Sequence, residues 1–445
     1  MTAASLADLL FAPDPPVGDG DPVLYVGDEV RTWGDLRARA EAVAAGVEPG
    51  RPVPVMLPNG AELVATLFGV WRGGGVYVPL NPRLGPDDLA HARADAEAAA
   101  ADLPPDAALI QFTSGTTGRP KPVVLTHGGV LTLLDGVIAK LRGGGRPAGG
   151  RPPMPNLIPV SLSLWAGIYN VLFALRVGAP VVVMDGFDPV ELATLVRRHD
   201  IRSTVLPPAT MVALVDDPRV SDLTPLRYVR SITAPLSPLQ ARRFRDRFGI
   251  AVLNSYGQTE IGGEIVGWNA ADSRDFGEDK LGSVGRPHTG VEVRTAASGE
   301  LEVRTPALAA GDLSDRLTPD GWFRTGDVGR VDGDGFVWVE GRLSDMINRG
   351  GLKVHPDQVE EVLRLDPGVA DAAVVGVPDD RLGEVPVAFV VPAAGRLAPT
   401  SDGLSGLCRA HLAPYKVPVR FEVVDALPRN EVGKLQRALL KGSGT

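Results

Sequence analysis

The stretch Phe112–His127 reads FTSGTTGRPKPVVLTH, and the nine positions from Thr113 to Lys121 hold two glycines, four hydroxyl side chains and a lysine. Glycines let backbone N–H groups turn toward an anion, hydroxyls add donors and a lysine adds charge, so this composition suits a phosphate group. It is not the common phosphate loop, which needs G-x-x-x-x-G-K-[ST]. Here Gly118 is followed by Arg119-Pro120-Lys121, and Lys121 by Pro122. No Ser or Thr follows the lysine to bind a metal, so a metal ligand has to lie elsewhere. The apolar run Leu109–Phe112 reads as a short strand into the loop and Gly128–Leu141 as a helix after it. A plain polar strand-to-helix turn is the alternative reading of the stretch itself.

Outward from the loop, the same alternation continues. Thr32 is placed to cap a helix over Arg31–Val47, Glu62–Trp71 has helical spacing, and Ala179–Met184 reads as a buried strand. Pro189–His199 (helix), Ser203–Leu206 (strand), a Ser237-capped helix to Phe248 and Ala251–Leu253 (strand) follow. Strands alternating with helices predict an α/β fold built on mainly parallel sheets. Beyond Asn269 the segments VEVR (291–294), LEVR (301–304) and GFVWV (335–339) alternate and are joined by Gly/Asp turns, which predicts antiparallel strands and a small β-barrel. After Gly341 a helix over Pro356–Leu365, strands at Ala372–Val375 and Val387–Val391, and a helix over Gly403–Leu412 predict a small separate α+β domain. Arg142–Pro153 and Ala393–Gly403 read as loops.

Composition bounds the function. The chain has 445 residues, 44% hydrophobic and 22% charged, ordinary values for a globular protein of more than one domain. The net charge is −9, without a basic stripe interleaved with aromatics, so nucleic acid is not an expected partner. Cys408 is the single cysteine, and no Cys/His group has metal-ligand spacing. The start, MTAASLADLLFAPDPP, lacks a basic segment ahead of its apolar residues, and no apolar run reaches transmembrane length, so a cytoplasmic setting is expected.

Four further stretches carry chemistry. Asn254–Glu260 (NSYGQTE) follows an apolar strand, where open α/β sheets place ligands. Tyr256 offers a face for a base, Thr259 a hydroxyl, and Glu260 a hard oxygen suited to Mg²⁺ held together with phosphates; a solvated turn with a capping glutamate is the alternative. Gly321–Asp327 (GWFRTGD) ends in an aspartate able to accept hydrogen bonds from vicinal hydroxyls, or in an ordinary turn aspartate. Gly341–Pro356 (GRLSDMINRGGLKVHP) sits at the last boundary, with Asp345 a candidate hinge and Gly350-Gly351 permitting close backbone approach. Pro428–Arg437 (PRNEVGKLQR) places Lys434 after a glycine near the C-terminus, an odd structural choice but a sensible catalytic one.

Together, in this order, the five stretches resemble the acyl-adenylate-forming superfamily of acyl-CoA synthetases, adenylation domains and luciferases, from about Thr32 to Leu439. The resemblance implies a large N-terminal domain, 1–341, and a small mobile C-terminal domain, 345–445, with a hinge near 342–346. It also implies ATP, Mg²⁺ and coenzyme A as cofactors: a carboxylic acid is activated to an acyl-adenylate with pyrophosphate release, then passed to the thiol of CoA. Loading of an acyl carrier protein's phosphopantetheine is the alternative. By the same resemblance Thr113, Ser114, Gly115, Thr116, Thr117, Gly118 and Lys121 contact phosphates; Thr233, Ala234, Pro235, Tyr256 and Gly257 flank the adenine; Asp327 and Arg342 hold the ribose. Thr259, Glu260 and Lys434 are implied as catalytic, with Glu260 the Mg²⁺ residue. Asp345 is implied as the hinge and Gly350-Gly351 as the thiol tunnel. The acyl pocket falls on Ser161, Leu164, Trp165 and Gln258. Leu164 stands where many relatives carry an aromatic or histidine gate, which favours an apolar acyl or aryl group unless these side chains simply pack the core. The version at Gly350–Pro356 resembles that of acyl-CoA synthetases more than that of amino-acid-activating enzymes. His127 is expected to be structural and His355 exposed. The sequence sets no oligomeric state.

Overall fold

A computed structural model of the chain describes residues 5–14, 16–113, 121–142, 153–311, 313–393, 395–429 and 435–441. Two compact units emerge. The first runs to Val293 and takes in Val303–Phe323 and Asp334–Phe336; the second comprises Arg294–Glu302, Arg324–Gly333 and the chain from Val337 on.

Three mixed sheets build the first unit, each with a parallel core and an antiparallel edge. In one, Pro52–Val55, Val76–Pro79 and Ala107–Thr113 run parallel and Lys121–Thr126 closes the edge antiparallel. In the second, Ser203–Leu206, Tyr228–Ser231 and Ala251–Gln258 are parallel, followed by antiparallel Gly263–Gly267 and Arg286–Pro287. The third orders Glu29–Thr32, Pro22–Val26, Val181–Val183 and Asn156–Ile158. Apolar side chains such as Leu157, Leu192, Leu206, Met211, Val229 and Phe244 form one buried core between the strands and the helices Pro189–Arg198, Pro208–Asp216 and Pro238–Phe248. The expected caps are present. Thr32 accepts from Asp35 N–H and Asp35 returns the bond, so the helix Trp33–Ala44 starts on a reciprocal capping box. Ser237 likewise accepts from Gln240 N–H.

The opening stretch differs from its expected form. Lys121–Thr126 is a strand, so Thr113 and Lys121 face each other across an antiparallel pair, and the helix His127–Arg142 begins only afterwards. Val123 and Val124 explain this: β-branched residues fit a pleated, half-buried surface better than a turn. Residues 114–120 therefore join two paired strand ends. Ser114, Gly115, Thr116, Thr117 and Gly118, and most of Arg142–Pro153, lie outside the described residues, as does Lys434.

Mostly in the second unit, Glu292–Thr295, Glu300–Arg304, Phe323–Val331 and Val337–Arg342 form the sheet expected beyond Asn269, a curled half-barrel. The rest is α+β: Val369–Asp379 and Gly383–Pro392 pair along ten register positions, with Arg420–Val423 parallel to the latter. The helices Pro356–Leu363 and Ser401–His411 pack Val359, Leu363 and Leu404 onto Val374, Ala388 and Val390. Among the described residues, no helix is long and apolar enough to cross a membrane.

Candidate active site

Asn254–Gln258, expected to follow the strand Ala251–Leu253, instead continues it, and the alternative of a solvated turn does not hold for these residues. Tyr228–Ser231 pairs with Ala251–Asn254 in parallel; from Ser255 the same strand pairs antiparallel with Gly263–Gly267. The change of partner carries Tyr256, Gly257 and Gln258 past the parallel sheet's carboxyl edge, and Thr259–Ile261 follows as a single 3₁₀ turn. Gly257 has to be glycine: a Cβ there would lie 1.7 Å from the Gly263 carbonyl oxygen.

At the end of the neighbouring strand, Thr233 adopts φ +70°. It is the central residue of a tight turn in which Ala234 N–H donates to the Ile232 carbonyl at 2.9 Å. A threonine held at positive φ is strained, and such strain gathers at functional sites. Thr233, Ala234 and Pro235 are all exposed, so this turn presents itself to solvent or a ligand.

Two consecutive amides tie Glu260 to the hairpin that carries the expected phosphate loop. Ala309 N–H donates to the Glu260 carbonyl and Ala310 N–H to the Val124 carbonyl, each at 2.8 Å. The 3₁₀ turn and the strand Lys121–Thr126 are thus fixed to one short segment. The Glu260 carboxylate keeps about a fifth of its surface, and Arg316 Nη1 approaches its Oε1 at 3.4 Å. Arg316 Nη2 donates to Gln258 Oε1 at 3.4 Å, and Gln258 Nε2 to the Tyr256 hydroxyl at 3.3 Å. The guanidinium carbon lies 4.3 Å from the Phe323 ring centroid. Among the described residues no group of three or more His, Cys, Asp or Glu could hold a metal by itself. A lone accessible carboxylate suits Mg²⁺, which keeps waters and shares substrate phosphates rather than needing an all-protein cage. Arg316 carries no motif, and nothing in the surrounding DLSDRLTPDG marks it in sequence.

The expected acyl-pocket residues lie around the start of the helix Trp165–Arg176, with Leu164 as its N-cap. Asn59 fastens this segment: its Oδ1 accepts from Leu162 N–H at 2.8 Å, and its Nδ2 donates to the carbonyls of Met184 at 2.8 Å and Val160 at 3.2 Å. Asn59 lies just ahead of the helix Ala61–Arg72. Ser161 and Ser163 hydroxyls bond at 2.7 Å. Trp165 is buried and donates Nε1–H to the Gly262 carbonyl at 2.8 Å. Gly263, at φ +122°, leaves room for this indole; a Cβ would sit 2.7 Å from Nε1.

Next to Gly263, Glu264 meets Arg230, and its Oε1 also lies 3.0 Å from His288 Nε2. Burial would raise this carboxyl, but Arg230, His288 and Lys140 together hold it below the usual range. Lys140 donates to the carbonyls of Gly267 at 2.6 Å and Pro287 at 3.4 Å and also to that of Arg286, while burial pushes its ammonium down to about 8. Burial lowers His288 too, although Glu264 opposes this, and His288 Nδ1 is buried without a partner. Only neutral histidine suits such a nitrogen, with the proton on Nε2 toward the carboxylate.

In the second unit, the two expected ribose residues are register partners. Asp327 faces Arg342 across the strand pair, and its Oδ1 lies 2.8 Å from Arg342 Nε. Asp327 is buried, and its N–H donates to Thr325 Oγ1, which is itself bonded to the Leu301 carbonyl. Asp345 sits in the 3₁₀ turn Leu343–Asp345 with Oδ2 3.3 Å from Arg437 Nε. Arg437 also bonds Asp357 at 2.6 Å and Glu360, a network no sequence pattern announces. Gly350 and Gly351, at φ +59° and +87°, form the two-residue turn between Ile347–Arg349 and Leu352–Val354. Positive φ at both positions is what this kind of hairpin turn demands; a Cβ on Gly351 would meet nothing within 4 Å. His355 is half-buried rather than exposed: it sits at the N-cap position of the helix Pro356–Leu363, makes no side-chain capping bond there, and its Nδ1 is enclosed without a partner. His127 is structural in the first unit, its Nδ1 accepting from Leu6 N–H at 3.1 Å.

A surface concavity of ≈ 420 Å³ is lined by residues including Gly27, Asp28, Asp188 and Arg198, none of them among the expected site residues.

Comparison with known proteins bears on this arrangement. A family model described as AMP-binding enzyme matches residues 18–102 and 99–311, and one described as AMP-binding enzyme C-terminal domain matches 358–434. The chain is 33% identical over 471 residues to a feruloyl-CoA synthase of Amycolatopsis sp, covering 92% of this chain and 93% of that one. Its fold is similar to that of the amide bond synthetase McbA from Marinactinospora thermotolerans, with TM-score 0.86, 28% identity and 99% of each chain covered. It is also similar to the O-succinylbenzoate coenzyme A synthetase MenE from Bacillus subtilis, solved with ATP and a magnesium ion, with TM-score 0.83, 26% identity, and 94% of this chain and 96% of that one covered.

Proposed function

The chain belongs to the AMP-binding enzyme family, and from that premise we propose that it is an AMP-forming acid–thiol ligase. It activates a carboxylic acid with ATP to an acyl-adenylate, releases pyrophosphate, and transfers the acyl group to coenzyme A with release of AMP. The observation that carries this reading is the fixed grouping of Glu260 with the phosphate-loop hairpin through Ala309 and Ala310. This grouping supports Glu260 as the residue for the metal, because its backbone is fixed to the hairpin that carries the Ser/Thr/Gly loop.

A carboxylate resists nucleophiles, and adenylation gives it a leaving group. Attack on the α-phosphorus needs alignment and charge neutralisation more than acid–base help. Thr113, Lys121 and the loop residues between them hold the departing pyrophosphate. Mg²⁺, when bound, neutralises charge on the phosphates, and Glu260 is the residue that holds it. Thr259 contacts the phosphate, Thr233 to Pro235 and Tyr256 border the adenine, and Asp327 with Arg342 receives the ribose hydroxyls. Lys434 pins the attacking carboxylate oxygen, and Asp345 is the pivot between the adenylating and thiol-transferring states, in which Gly350-Gly351 takes part. Leu164 and the buried Trp165 support an apolar acyl or aryl acid. The relative named for feruloyl-CoA synthesis supports CoA as the acceptor.

The test is a panel of aryl, aliphatic and charged carboxylic acids, scored by AMP release with and without CoA. Acyl-CoA and AMP formed in equal amounts support the reading; ADP release, or AMP with no thioester to CoA under any acid, rejects it.

A further inference from the structure

We propose that Arg316 is a positioning residue that pairs with the Glu260 carboxylate and gives it up to Mg²⁺, so that it sets how much Mg²⁺ the enzyme needs. The inference rests on the reading of Glu260 as the Mg²⁺ residue.

The geometry is that of a built fork. One guanidinium nitrogen reaches Glu260 Oε1 and the other Gln258 Oε1, both at 3.4 Å, so a single planar group spans two side chains that sit two positions apart. The fork is held from behind: its carbon lies 4.3 Å from the Phe323 ring centroid, and Phe323 is itself buried. Its own backbone is fixed as well, because Ser314–Arg316 is a 3₁₀ turn and Leu317 forms a β-bridge with Phe323. About a third of the Arg316 side chain stays exposed, against a fifth of Glu260. Contacts of this length and exposure are modest, and a modest contact is one that a divalent ion can displace.

Two cations cannot share one carboxylate oxygen at no cost. With Arg316 in place, Mg²⁺ arrives against a neighbouring positive charge and has to release Nη1 from Oε1. Without Mg²⁺, the fork keeps Glu260 turned toward Gln258 rather than free to sample other rotamers. Arg316 therefore does two opposed things: it preorganises the carboxylate, and it raises the Mg²⁺ concentration at which the metal takes over.

The experiment measures ATP binding by calorimetry in the absence of any carboxylic acid, at fixed ATP and rising Mg²⁺, so that no turnover intrudes. Arg316→Gln should move the Mg²⁺ midpoint to lower concentration, on the order of three- to fivefold, and Arg316→Lys, which keeps the charge, should leave it near the parent value. Glu260→Gln should raise the midpoint, and adding Arg316→Gln to it should produce no further shift, since the two act through one contact. A midpoint that is unchanged or raised in Arg316→Gln, while Glu260→Gln still raises it, overturns the exchange and leaves the metal assignment standing. A midpoint indifferent to Glu260→Gln overturns the metal assignment itself, and this proposal with it. If Arg316→Gln does not fold, Phe323→Leu, which removes the ring behind the fork, should shift the midpoint the same way by less; no shift there overturns the proposal.

Discussion

Asp327 and Arg342 face each other across two antiparallel strands, carboxylate to guanidinium at 2.8 Å, with the aspartate buried and the arginine partly open to solvent. The ion pair fixes the carboxylate at this strand pair, where we propose that the ribose hydroxyls meet it. Replacing Asp327 by Asn keeps shape and removes charge. ATP affinity, read by calorimetry, should fall on the order of ten- to a hundredfold, as loss of a charge-assisted hydrogen bond of about 1.5–3 kcal/mol would produce. Undiminished affinity in a folded Asp327→Asn chain would remove the ribose assignment.

Lys434 is proposed to act on one half-reaction. Lys434→Ala should depress acid-dependent pyrophosphate exchange by ~10²–10³, the usual loss for one transition-state electrostatic group. ATP binding should survive, and so should thioester formation from a supplied acyl-adenylate. Equal losses in both half-reactions would mean that Lys434 serves the fold or the thiol step as well.

Gly263 leaves the space that Trp165 fills. Gly263→Ala would put a Cβ 2.7 Å from Nε1 of a buried indole, at a φ of +122° that side chains rarely adopt. Overpacking of this kind costs about 1–3 kcal/mol. A lower midpoint in urea unfolding with unchanged slope is the expected result. An unchanged midpoint would show that Trp165 shifts freely beside Gly263.

Stability should depend on pH through His288. Its side chain is enclosed against Glu264, and burial lowers its folded-state pKa below the ordinary histidine value. The unfolded chain therefore binds the proton more readily than the folded one. Its contribution is fully present above the unfolded pKa, about 6.5, and is lost as pH falls through the folded value. Unfolding free energies at pH 7.5 and at about pH 5 should diverge more for the parent than for His288→Gln; equal pH slopes in the two chains would contradict this.

Much of the fold could be read from local chemistry. Thr32 and Ser237 cap where hydroxyl residues precede helical spacing, and Ser203–Leu206 is a strand with the expected bounds. What escaped was set by tertiary context. Lys121–Thr126 is a strand because the edge of Ala107–Thr113 needs a partner, and a proline–valine run after a glycine loop does not declare that partner. The residues Asn254–Gln258 extend their strand only because Gly263–Gly267 returns alongside. At the site, Asp327 and Arg342 were legible through motif and meet as register partners. Arg316 and Asn59 were not, since each acts by reaching across the fold to groups far away in sequence, Glu260 in one case and Leu162 in the other. Gly350-Gly351 was legible as special, but its immediate reason is turn geometry.

The pairing of Thr113 with Lys121 makes the proposed phosphate loop a matter of parity. Side chains along a strand alternate between faces, so moving the register by one residue sends every side chain to the opposite side. A residue added between 114 and 120 lengthens a connection whose ends stay where they are. A residue added between Pro122 and Thr126 exchanges the directions of Lys121 and Pro122, and the loop would depart with its lysine facing the wrong way. Tolerance to insertion along these few residues should accordingly change abruptly at Lys121.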